Sequence, residues 1–203
     1  MRWLHEDRLR KTGHRLIAGV DEVGRGSLAG PVVAAAVILD RECRFPGVKD
    51  SKALTEPLRR RQFGRIVLSA VAYGFGVADA EMVDRMNVYE ATREAMRQAV
   101  ASLVTPPDAL LLDAITLPDI RLPQHSLIHG DRRCLSIAAA SILAKVYRDE
   151  MMKDFDSIYP PYRFCQNKGY ATLAHRRAIR EVGLSPLHRR TFSIRPPRSR
   201  ESS

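Results

Sequence analysis

The hydrophobic pattern near the start of the chain predicts two neighbouring β-strands, residues 15–22 and 32–39. Each run is short, rich in Val, Ile, Leu and Ala, and bounded by glycine or charged residues, as is typical of buried strands. Only a glycine-rich loop separates the two runs. We therefore expect them to pair in an antiparallel sense.

Further along the chain, apolar residues recur with the spacing of helices. Thr55 occupies an N-cap position, a break is expected near Asn87, and Gly183 stands where a helix C-cap glycine is common. The predicted helices are residues 55–70, 80–103, 133–155 and 169–181, and the further predicted strands are residues 71–77, 109–112 and 126–129.

These elements predict a single α/β domain of five strands with helices between and after them. We expect residues 15–192 to form it, after an N-terminal lead of residues 1–14. Residues 193–203 are rich in Pro, Arg and Ser, a composition typical of a disordered basic tail. No linker or internal repeat divides the chain.

Two acidic residues, Asp21 and Glu22, stand at the end of the first apolar run. Because neighbouring side chains of a strand point to opposite faces, at least one of the two must point into the protein. A buried carboxylate without a counter-charge costs several kcal/mol, on the order of the penalty for an uncompensated buried charge. A divalent cation beside these residues would remove that cost.

Two further acidic residues, Asp113 and Asp131, follow later predicted strands. Either of them alone would suit a turn or a helix cap. Strand ends of an open sheet converge on one crevice, however, so we expect the four carboxylates to lie together. All-oxygen sites favour Mg²⁺ or Mn²⁺, and two such ions about 4 Å apart are a standard arrangement for phosphodiester hydrolysis. The sequence therefore predicts a metal-dependent nuclease.

The loop between the first two strands contains Gly24, Arg25 and Gly26. Glycines let a backbone approach a ligand closely, and a guanidinium offers paired donors to phosphate. We expect this loop to contact an anionic substrate. A dinucleotide-binding fingerprint is excluded, because the glycine spacing differs and the loop leads into a strand instead of a helix.

The charge of the chain favours a nucleic-acid partner. Lys and Arg number 33 against 23 Asp and Glu, which gives a net charge of +10. A basic surface of this size is typical of proteins that bind nucleic acid, although solubility alone would also account for it.

The cysteines and the lack of an apolar run of membrane-spanning length bear on where in the cell the protein acts. Cys43, Cys134 and Cys165 are odd in number and far apart, which argues against a disulfide framework or a zinc site and suits a reducing compartment. The first residues are charged, and no apolar run reaches membrane-spanning length. We expect a cytoplasmic protein with no membrane partner.

Five sequence blocks resemble those of bacterial type 2 ribonuclease H, the ribonuclease HII family. They follow one another in the family's order from about residue 16 to residue 192, nearly the whole chain, and the first and fourth blocks are highly specific. The blocks are GVDEVGRGSLAGPVVAAAVIL, DSKALTE, SIAAASILAKVYRD, NKGYATLAH and HRRTF.

The resemblance implies a ribonuclease H-like fold: a five-stranded mixed sheet flanked by helices, with a C-terminal helical segment. It also implies an endonuclease that hydrolyses the RNA strand of RNA/DNA hybrids and nicks duplex DNA on the 5′ side of single embedded ribonucleotides. The products would carry 5′-phosphate and 3′-hydroxyl ends. The implied cofactor is Mg²⁺ or Mn²⁺, and the implied partners are RNA/DNA hybrid and ribonucleotide-containing duplex DNA, bound by a monomer.

Matched residue by residue, the family's four metal-binding carboxylates fall on the four acidic residues named above. Arg25 and its flanking glycines fall in the loop that senses the 2′-hydroxyl and the adjacent phosphates. Tyr170 matches the tyrosine that stacks on the deoxyribose after the ribonucleotide, while Ser51 and Lys52 match a loop that contacts the substrate backbone. Only the 2′-hydroxyl distinguishes RNA from DNA at one nucleotide, so the enzyme must recognise the sugar and need not recognise the base. We therefore expect low base specificity.

Five positions depart from the family pattern. Ser27 stands where proline is commoner, Ala114 where glycine is usual, and Ala53 where a second lysine is usual. His129 replaces a lysine and Asn167 replaces a histidine, both near expected functional groups. None of these departures removes a carboxylate.

Two alternatives remain at this point. A type 3 ribonuclease H shares the fold and the acidic cluster but typically carries an additional N-terminal substrate-binding domain, for which the short lead leaves little room. A non-catalytic nucleic-acid-binding protein would use the basic charge alone and would have no need of four acids at strand ends.

Overall fold

A computed structural model describes residues 3–42, 48 and 54–193. The strands are β1 (Ile17–Val23), β2 (Val32–Leu39), β3 (Ala70–Ala78), β4 (Ala109–Asp113) and β5 (Gln124–Leu127). The helices are α1 (Leu4–Lys11), α2 (Glu56–Ser69), α3 (Ala80–Ala101), α4 (Gly130–Arg133), α5 (Leu135–Ile158), α6 (Phe164–Asn167) and α7 (Leu173–Val182).

The strands form one sheet in the order β3-β2-β1-β4-β5. The pairs β1–β2 and β2–β3 are antiparallel, whereas β1–β4 and β4–β5 are parallel. The five-stranded mixed sheet is therefore as predicted. Because β1 and β4 run side by side in the same direction, Asp21 and Glu22 lie at the same end of the sheet as Asp113.

Helices cover both faces of the sheet. Along β2, Ala34 and Ala36 enter the core formed with α3, while Val33 and Ala35 enter the core formed with α2 and α5. This alternation is that of a strand buried on both faces. Small side chains in the middle of β2 let the helices approach the sheet closely, and the result is a three-layer domain with β1 in its centre.

The predicted break in the long helix α3 is confirmed at Asn87. This residue has φ 69° and ψ 163°, outside the helical region. Its side-chain oxygen accepts hydrogen bonds from the backbone N–H of Tyr89 (2.9 Å) and of Glu90 (3.1 Å). Asn87 therefore ends one helical segment and caps the next.

The N-terminal lead contains helix α1, which the hydrophobic pattern did not indicate. Its Glu6 is only 1% exposed. The Oε1 atom of Glu6 accepts hydrogen bonds from Ser136 N (2.9 Å), Ser136 Oγ (3.0 Å) and Cys134 Sγ (3.2 Å). A carboxylate of α1 thus caps the N-terminus of α5, and a charged residue in a polar segment makes a buried structural contact.

Three predicted element boundaries are wrong. The last strand is β5, Gln124–Leu127, and His129 adopts a left-handed conformation that starts α4. The long helix α5 begins at Leu135, after α4. The final helix α7 begins at Leu173 and not at Gly169, because the separate helix α6 ends at Asn167 and both Lys168 and Gly169 have positive φ.

Two other predicted features concern helix ends and the membrane. Thr55 is the N-cap of α2 but makes no capping hydrogen bond with its side chain, and Gly183 is the C-cap of α7 with φ 81°. Among the helices that the structure describes, none combines the length and apolar character needed to cross a membrane.

The β1–α5 contact provides a test of the fold. A Cβ on Gly19 would lie 2.2 Å from the backbone carbon of Ser136, so Gly19→Ala must push α5 away from β1. We expect a loss of several kcal/mol in the free energy of unfolding, on the order of the cost of overpacking a core. Gly64→Ala in α2, where a Cβ would meet nothing, is the control and should stabilise by about 0.5–1 kcal/mol. Urea unfolding measures both; equal effects would contradict the close packing.

Candidate active site

A cleft of about 130 Å³ opens at the C-terminal ends of the inner strands β1 and β4. Its lining combines acidic residues from the two strands with residues of α5 and of the loop before α7. The lining residues are Asp21, Glu22, Val23, Asp113, Ser141, Lys145 and Tyr170. The structure thus brings together three of the four predicted carboxylates and the predicted substrate-stacking tyrosine.

Asp21 and Glu22 are the most perturbed acids in this cleft. Asp21 is 3% exposed, and burial together with the neighbouring Glu22 charge raises its pKa well above the usual range. Ser141 opposes this shift by a hydrogen bond to Asp21. Burial also raises the pKa of Glu22, against the effect of Arg25, whose Nη1 lies 3.2 Å from Glu22 Oε1. Ionised carboxylates are therefore disfavoured here unless a cation joins them.

Asp113 lines the cleft, and Asp131 follows the residue that Asp113 contacts. Asp113 Oδ1 accepts a hydrogen bond of 2.7 Å from the backbone N–H of Gly130. Asp131 follows Gly130 in α4 and is 4% exposed, but it does not line the cleft. The Gly130 contact fixes the start of α4 against the end of β4, and Asp131 is the next residue along the chain.

The chemistry of the cleft fits a hard divalent cation. The metal ligands that its acidic residues offer are all carboxylate oxygens, and Glu22 Oε2 is buried without a hydrogen-bond partner. Within the part of the chain that the structure describes, no three His, Cys, Asp or Glu side chains lie close enough to enclose an ion by themselves. Mg²⁺ is commonly held by one or two carboxylates together with water and substrate phosphates, and Asp21, Glu22 and Asp113 suit that mode.

The glycine loop, residues 24–31, is held by two buried arginines. Arg148 of α5 donates from Nε to Pro31 O (2.8 Å), and from Nη2 to Ser27 Oγ (2.8 Å) and Ala29 O (3.2 Å). A buried guanidinium is stable only if its N–H groups find acceptors, and here the loop carbonyls supply them. The loop is thus fixed from the side of α5.

Arg189, from the C-terminal segment, holds the same loop from the other side. It is 2% exposed and donates to Arg25 O (2.7 Å), Gly24 O (2.7 Å) and Gly30 O (2.8 Å). Burial, followed by the nearby Arg148 charge, lowers the pKa of Arg189 to about 10, so the group remains protonated at neutral pH. The backbone around Arg25 is therefore rigid before any substrate binds.

The two glycines beside Arg25 differ in what they do. Gly24 has φ 93°, and a Cβ there would lie 2.3 Å from Arg148 Nε and 2.6 Å from Pro31 O. A Cβ on Gly26 would meet no protein atom within 4 Å. Packing inside the protein explains Gly24, whereas Gly26 leaves open space over the loop, as expected where a ligand approaches the backbone.

Tyr170 is 37% exposed and lies against the buried arginine of α5. The Arg148 Cζ atom is 5.6 Å from the centre of the Tyr170 ring, a cation–π distance. The preceding carbonyl, Gly169 O, accepts hydrogen bonds from Leu28 N (2.8 Å) and Ala29 N (3.2 Å). Tyr170 and the glycine loop are thus joined through backbone and through a shared guanidinium.

Some of the sequence departures have structural explanations. Asn167 is buried, its Nδ2 donates to Tyr162 O (2.6 Å), and its Oδ1 accepts from Gly169 N (2.7 Å), so it shapes the turn before Tyr170. Ser27 donates to Gly24 O (2.7 Å) and stabilises the loop internally. Ser51 and Lys52 lie outside the described residues.

Reasoning from sequence missed four residues of the site: Ser141, Lys145, Arg148 and Arg189. Lys145 forms an ion pair with Asp149 of the same helix, at an Nζ–Oδ1 distance of 2.6 Å. Arg148, in contrast, bonds loop carbonyls rather than Asp149. The sequence signal for Arg148 is an arginine within a predicted helix that is otherwise largely apolar, as in SILAKVYRD.

Comparison with known proteins decides the family. A family model described as Ribonuclease HII matches residues 18–194, most of the chain. The chain belongs to the ribonuclease HII family. The Ribonuclease HII of Enterococcus faecalis is 51% identical over 188 residues, which are 93% of this chain and 73% of that relative.

Solved structures agree with this assignment and show the ribonuclease H fold. The RNase HII of Archaeoglobus fulgidus, solved in complex with PCNA, superposes with a TM-score of 0.76 at 25% identity, over 90% of this chain and 98% of that chain. Bst-RNase HIII in complex with Mn²⁺ gives a TM-score of 0.66 at 25% identity, over 86% of this chain and 65% of that one. The family match favours type 2 over the type 3 alternative.

Membership in the ribonuclease HII family establishes the general activity. The chain is a ribonuclease H, an endonuclease that hydrolyses the RNA strand of RNA/DNA hybrids, and enzymes of this kind depend on divalent metal ions. A non-catalytic nucleic-acid-binding protein is therefore not the better interpretation of the basic charge.

Arg189 provides a test of how the glycine loop is held. Arg189→Lys replaces a planar fork by a single ammonium that cannot span Arg25 O and Gly30 O, so buried carbonyls lose donors. We expect a loss of about 2–4 kcal/mol in the free energy of unfolding, since each buried acceptor left unpaired costs about 1–3 kcal/mol. Cleavage should weaken as well. The exposed neighbour Arg190→Lys is the matched control, and equal stability of the two variants in urea would contradict the assignment.

Proposed function

We propose that this ribonuclease HII nicks duplex DNA on the 5′ side of single embedded ribonucleotides as well as cutting longer RNA/DNA hybrids. Residues 15–192 would act as one catalytic domain and leave 5′-phosphate and 3′-hydroxyl ends. The observation that carries this proposal is the meeting of acidic residues and Tyr170 in one cleft, with Arg25 of the fixed glycine loop 3.2 Å from Glu22. Such a cleft can test the ribonucleotide and its 3′ neighbour while it positions the bond to be cut.

Asp21, Glu22, Asp113 and Asp131 would hold Mg²⁺ or Mn²⁺. When bound, such ions activate water and stabilise the leaving oxygen in phosphodiester hydrolysis. The raised pKa of Asp21 and of Glu22, due mainly to burial, supports this role because both acids gain from a cation. Ser141 keeps Asp21 oriented by its hydrogen bond, and Lys145 adds positive charge at the rim of the cleft.

The fixed loop would recognise the ribonucleotide. Arg189 and Arg148 hold the loop carbonyls, so the backbone of Gly24, Arg25 and Gly26 can meet the 2′-hydroxyl without reorganising. The Arg25 guanidinium is 41% exposed beside Glu22 and can reach an adjacent phosphate. Recognition of sugar and phosphate alone would make cleavage nearly independent of base sequence.

Tyr170 would select DNA on the 3′ side of the cut. Its ring is partly exposed in the same cleft, and a ring stacked on a sugar face leaves no room for a 2′-hydroxyl there. Ser51 and Lys52 are proposed to contact the substrate backbone. We also propose that the protein acts as a cytoplasmic monomer; the free thiols of Cys134 and Cys165 suit a reducing compartment, and the +10 charge opposes self-association.

The proposed reaction is tested with a labelled DNA duplex that carries one ribonucleotide. The wild-type enzyme with Mg²⁺ should nick immediately 5′ of the ribonucleotide. Asp21→Asn should reduce that rate about a thousandfold or more, which corresponds to about 4 kcal/mol of lost transition-state stabilisation, while binding stays within a few-fold. Gel-resolved cleavage and fluorescence anisotropy measure the two quantities.

Two controls accompany this experiment. Asp154→Asn, an exposed acid of α5, should leave the rate unchanged, and an all-DNA duplex should stay intact. Cleavage that persists in EDTA, or full activity of Asp21→Asn, would overturn the metal assignment. A cut at any other position would overturn the junction assignment alone.

The two loop glycines separate substrate approach from folding. Gly26→Ala should leave the free energy of unfolding within about 0.5 kcal/mol, as for a surface substitution, yet weaken binding of the one-ribonucleotide duplex about tenfold because a methyl group enters the ligand's space. Gly24→Ala should instead lower the free energy of unfolding by about 2 kcal/mol or more. Urea unfolding and anisotropy distinguish them, and unimpaired binding by Gly26→Ala would refute close approach of the substrate.

A further inference from the structure

Two buried histidines connect the C-terminal segment to Tyr170. His175 of α7 is 0% exposed and His188 is 3% exposed. Their Nε2 atoms lie 3.0 Å apart, and His175 Nδ1 lies 2.9 Å from Tyr170 O. At the other end of this chain of contacts, His188 Nδ1 lies 2.9 Å from Ser185 N. Four groups are therefore joined in one line.

The backbone N–H at one end fixes every hydrogen in this line. Ser185 N can only donate, so His188 Nδ1 must accept; Ser185 Oγ, 2.8 Å from the same atom, is then a second donor, and the His188 proton is on Nε2. His188 Nε2 then donates to His175 Nε2, which leaves the His175 proton on Nδ1, where it donates to Tyr170 O. Both rings are neutral, each in one defined tautomer.

The surroundings of the pair favour this neutral arrangement. The Tyr162 ring centre is 4.8 Å from that of His188, and the Phe164 ring centre is 5.5 Å from that of His175. Burial, followed by the His175 ring, lowers the pKa of His188 to about 4, and burial lowers that of His175 as well. An additional proton on either ring would place two donors face to face.

The same C-terminal segment also holds the glycine loop. Leu187 O accepts from Gly30 N (2.9 Å), and Arg189 N donates to Leu28 O (2.9 Å). Between these two backbone contacts lies His188, which is linked through His175 to Tyr170. The Arg189 side chain donates hydrogen bonds to the loop carbonyls. One short segment therefore determines the position of both proposed substrate-recognition elements.

We propose that His175 and His188 are positioning residues for junction recognition, which hold the Tyr170 carbonyl and so set the distance between the tyrosine ring and the glycine loop. The inference rests on the proposed role of Tyr170. It adds that selectivity for a single ribonucleotide depends on a neutral histidine pair that touches neither substrate nor metal.

Two substitutions of His175 separate positioning from simple packing. In His175→Asn the amide nitrogen replaces Nδ1 and can still donate to Tyr170 O, but the link to His188 is lost. In His175→Gln the amide oxygen replaces Nε2 and can still accept from His188, but Tyr170 O loses its donor. Each variant loses one buried hydrogen bond, so their losses of stability should be similar.

Only the variant that releases Tyr170 should lose selectivity. We expect His175→Gln to raise KM for the one-ribonucleotide duplex about tenfold, with kcat and the cleavage of a long hybrid changed less than threefold. His175→Asn should stay within about twofold of wild type on both substrates. In a double-mutant cycle with Tyr170→Ala, the loss due to His175→Gln should disappear.

Each contrary result has a defined meaning. Equal selectivity of the Asn and Gln variants, or losses that add fully to that of Tyr170→Ala, would overturn the positioning role while the proposed function stands. Unchanged selectivity of Tyr170→Ala itself would overturn the proposed role of the tyrosine and this inference with it.

A measurement on the wild-type protein keeps the inference testable if a variant fails to fold. Long-range ¹H–¹⁵N correlation spectra at neutral pH distinguish the two imidazole tautomers. We expect the proton of His175 on Nδ1 and that of His188 on Nε2. A His175 ring protonated on Nε2, or a charged ring, would overturn the proposed line of hydrogen bonds.

Discussion

The site depends on two guanidinium groups that are buried among backbone carbonyls. Arg148 comes from the helix behind the sheet and Arg189 from the C-terminal segment, and both end in the loop that follows β1. A charge in the interior is tolerated only when its donors are satisfied, so the loop cannot move away from either arginine without a large cost. This mutual requirement turns a glycine-rich segment, which would otherwise be flexible, into a rigid surface.

The acidic side of the cleft follows the opposite logic. Asp21 and Glu22 raise one another's energy, and the interior gives them too few partners, since Glu22 Oε2 has none among the described residues. The two arginines remove conformational freedom from the loop, whereas the carboxylates keep an unfavourable interaction that a cation can relieve. Binding energy from metal and substrate is thereby directed to the end of β1, where both features meet.

Much of this arrangement could be predicted from the sequence, because periodicity and local acid placement are short-range signals. The five strands, the break at Asn87 and the position of the acids needed only neighbouring residues. The holding contacts could not be predicted in this way. Arg189 and Gly24 are 165 residues apart, and the acceptors are carbonyls that every residue has. Likewise, the hydrophobic pattern around His175 and His188 does not indicate that the fold buries them together, although both lie in blocks that resemble the family's.

The contact between Glu6 and Ser136 has a consequence for the order of folding. It joins residues 130 positions apart, so Glu6 has no partner at the N-terminus of α5 until α5 has been synthesised. Loop closure over that length is slow compared with pairing of β1 and β2. We therefore expect the Glu6 contact to form late, after β1 and β2 have paired, so that α1 joins a sheet whose central strands are already in place.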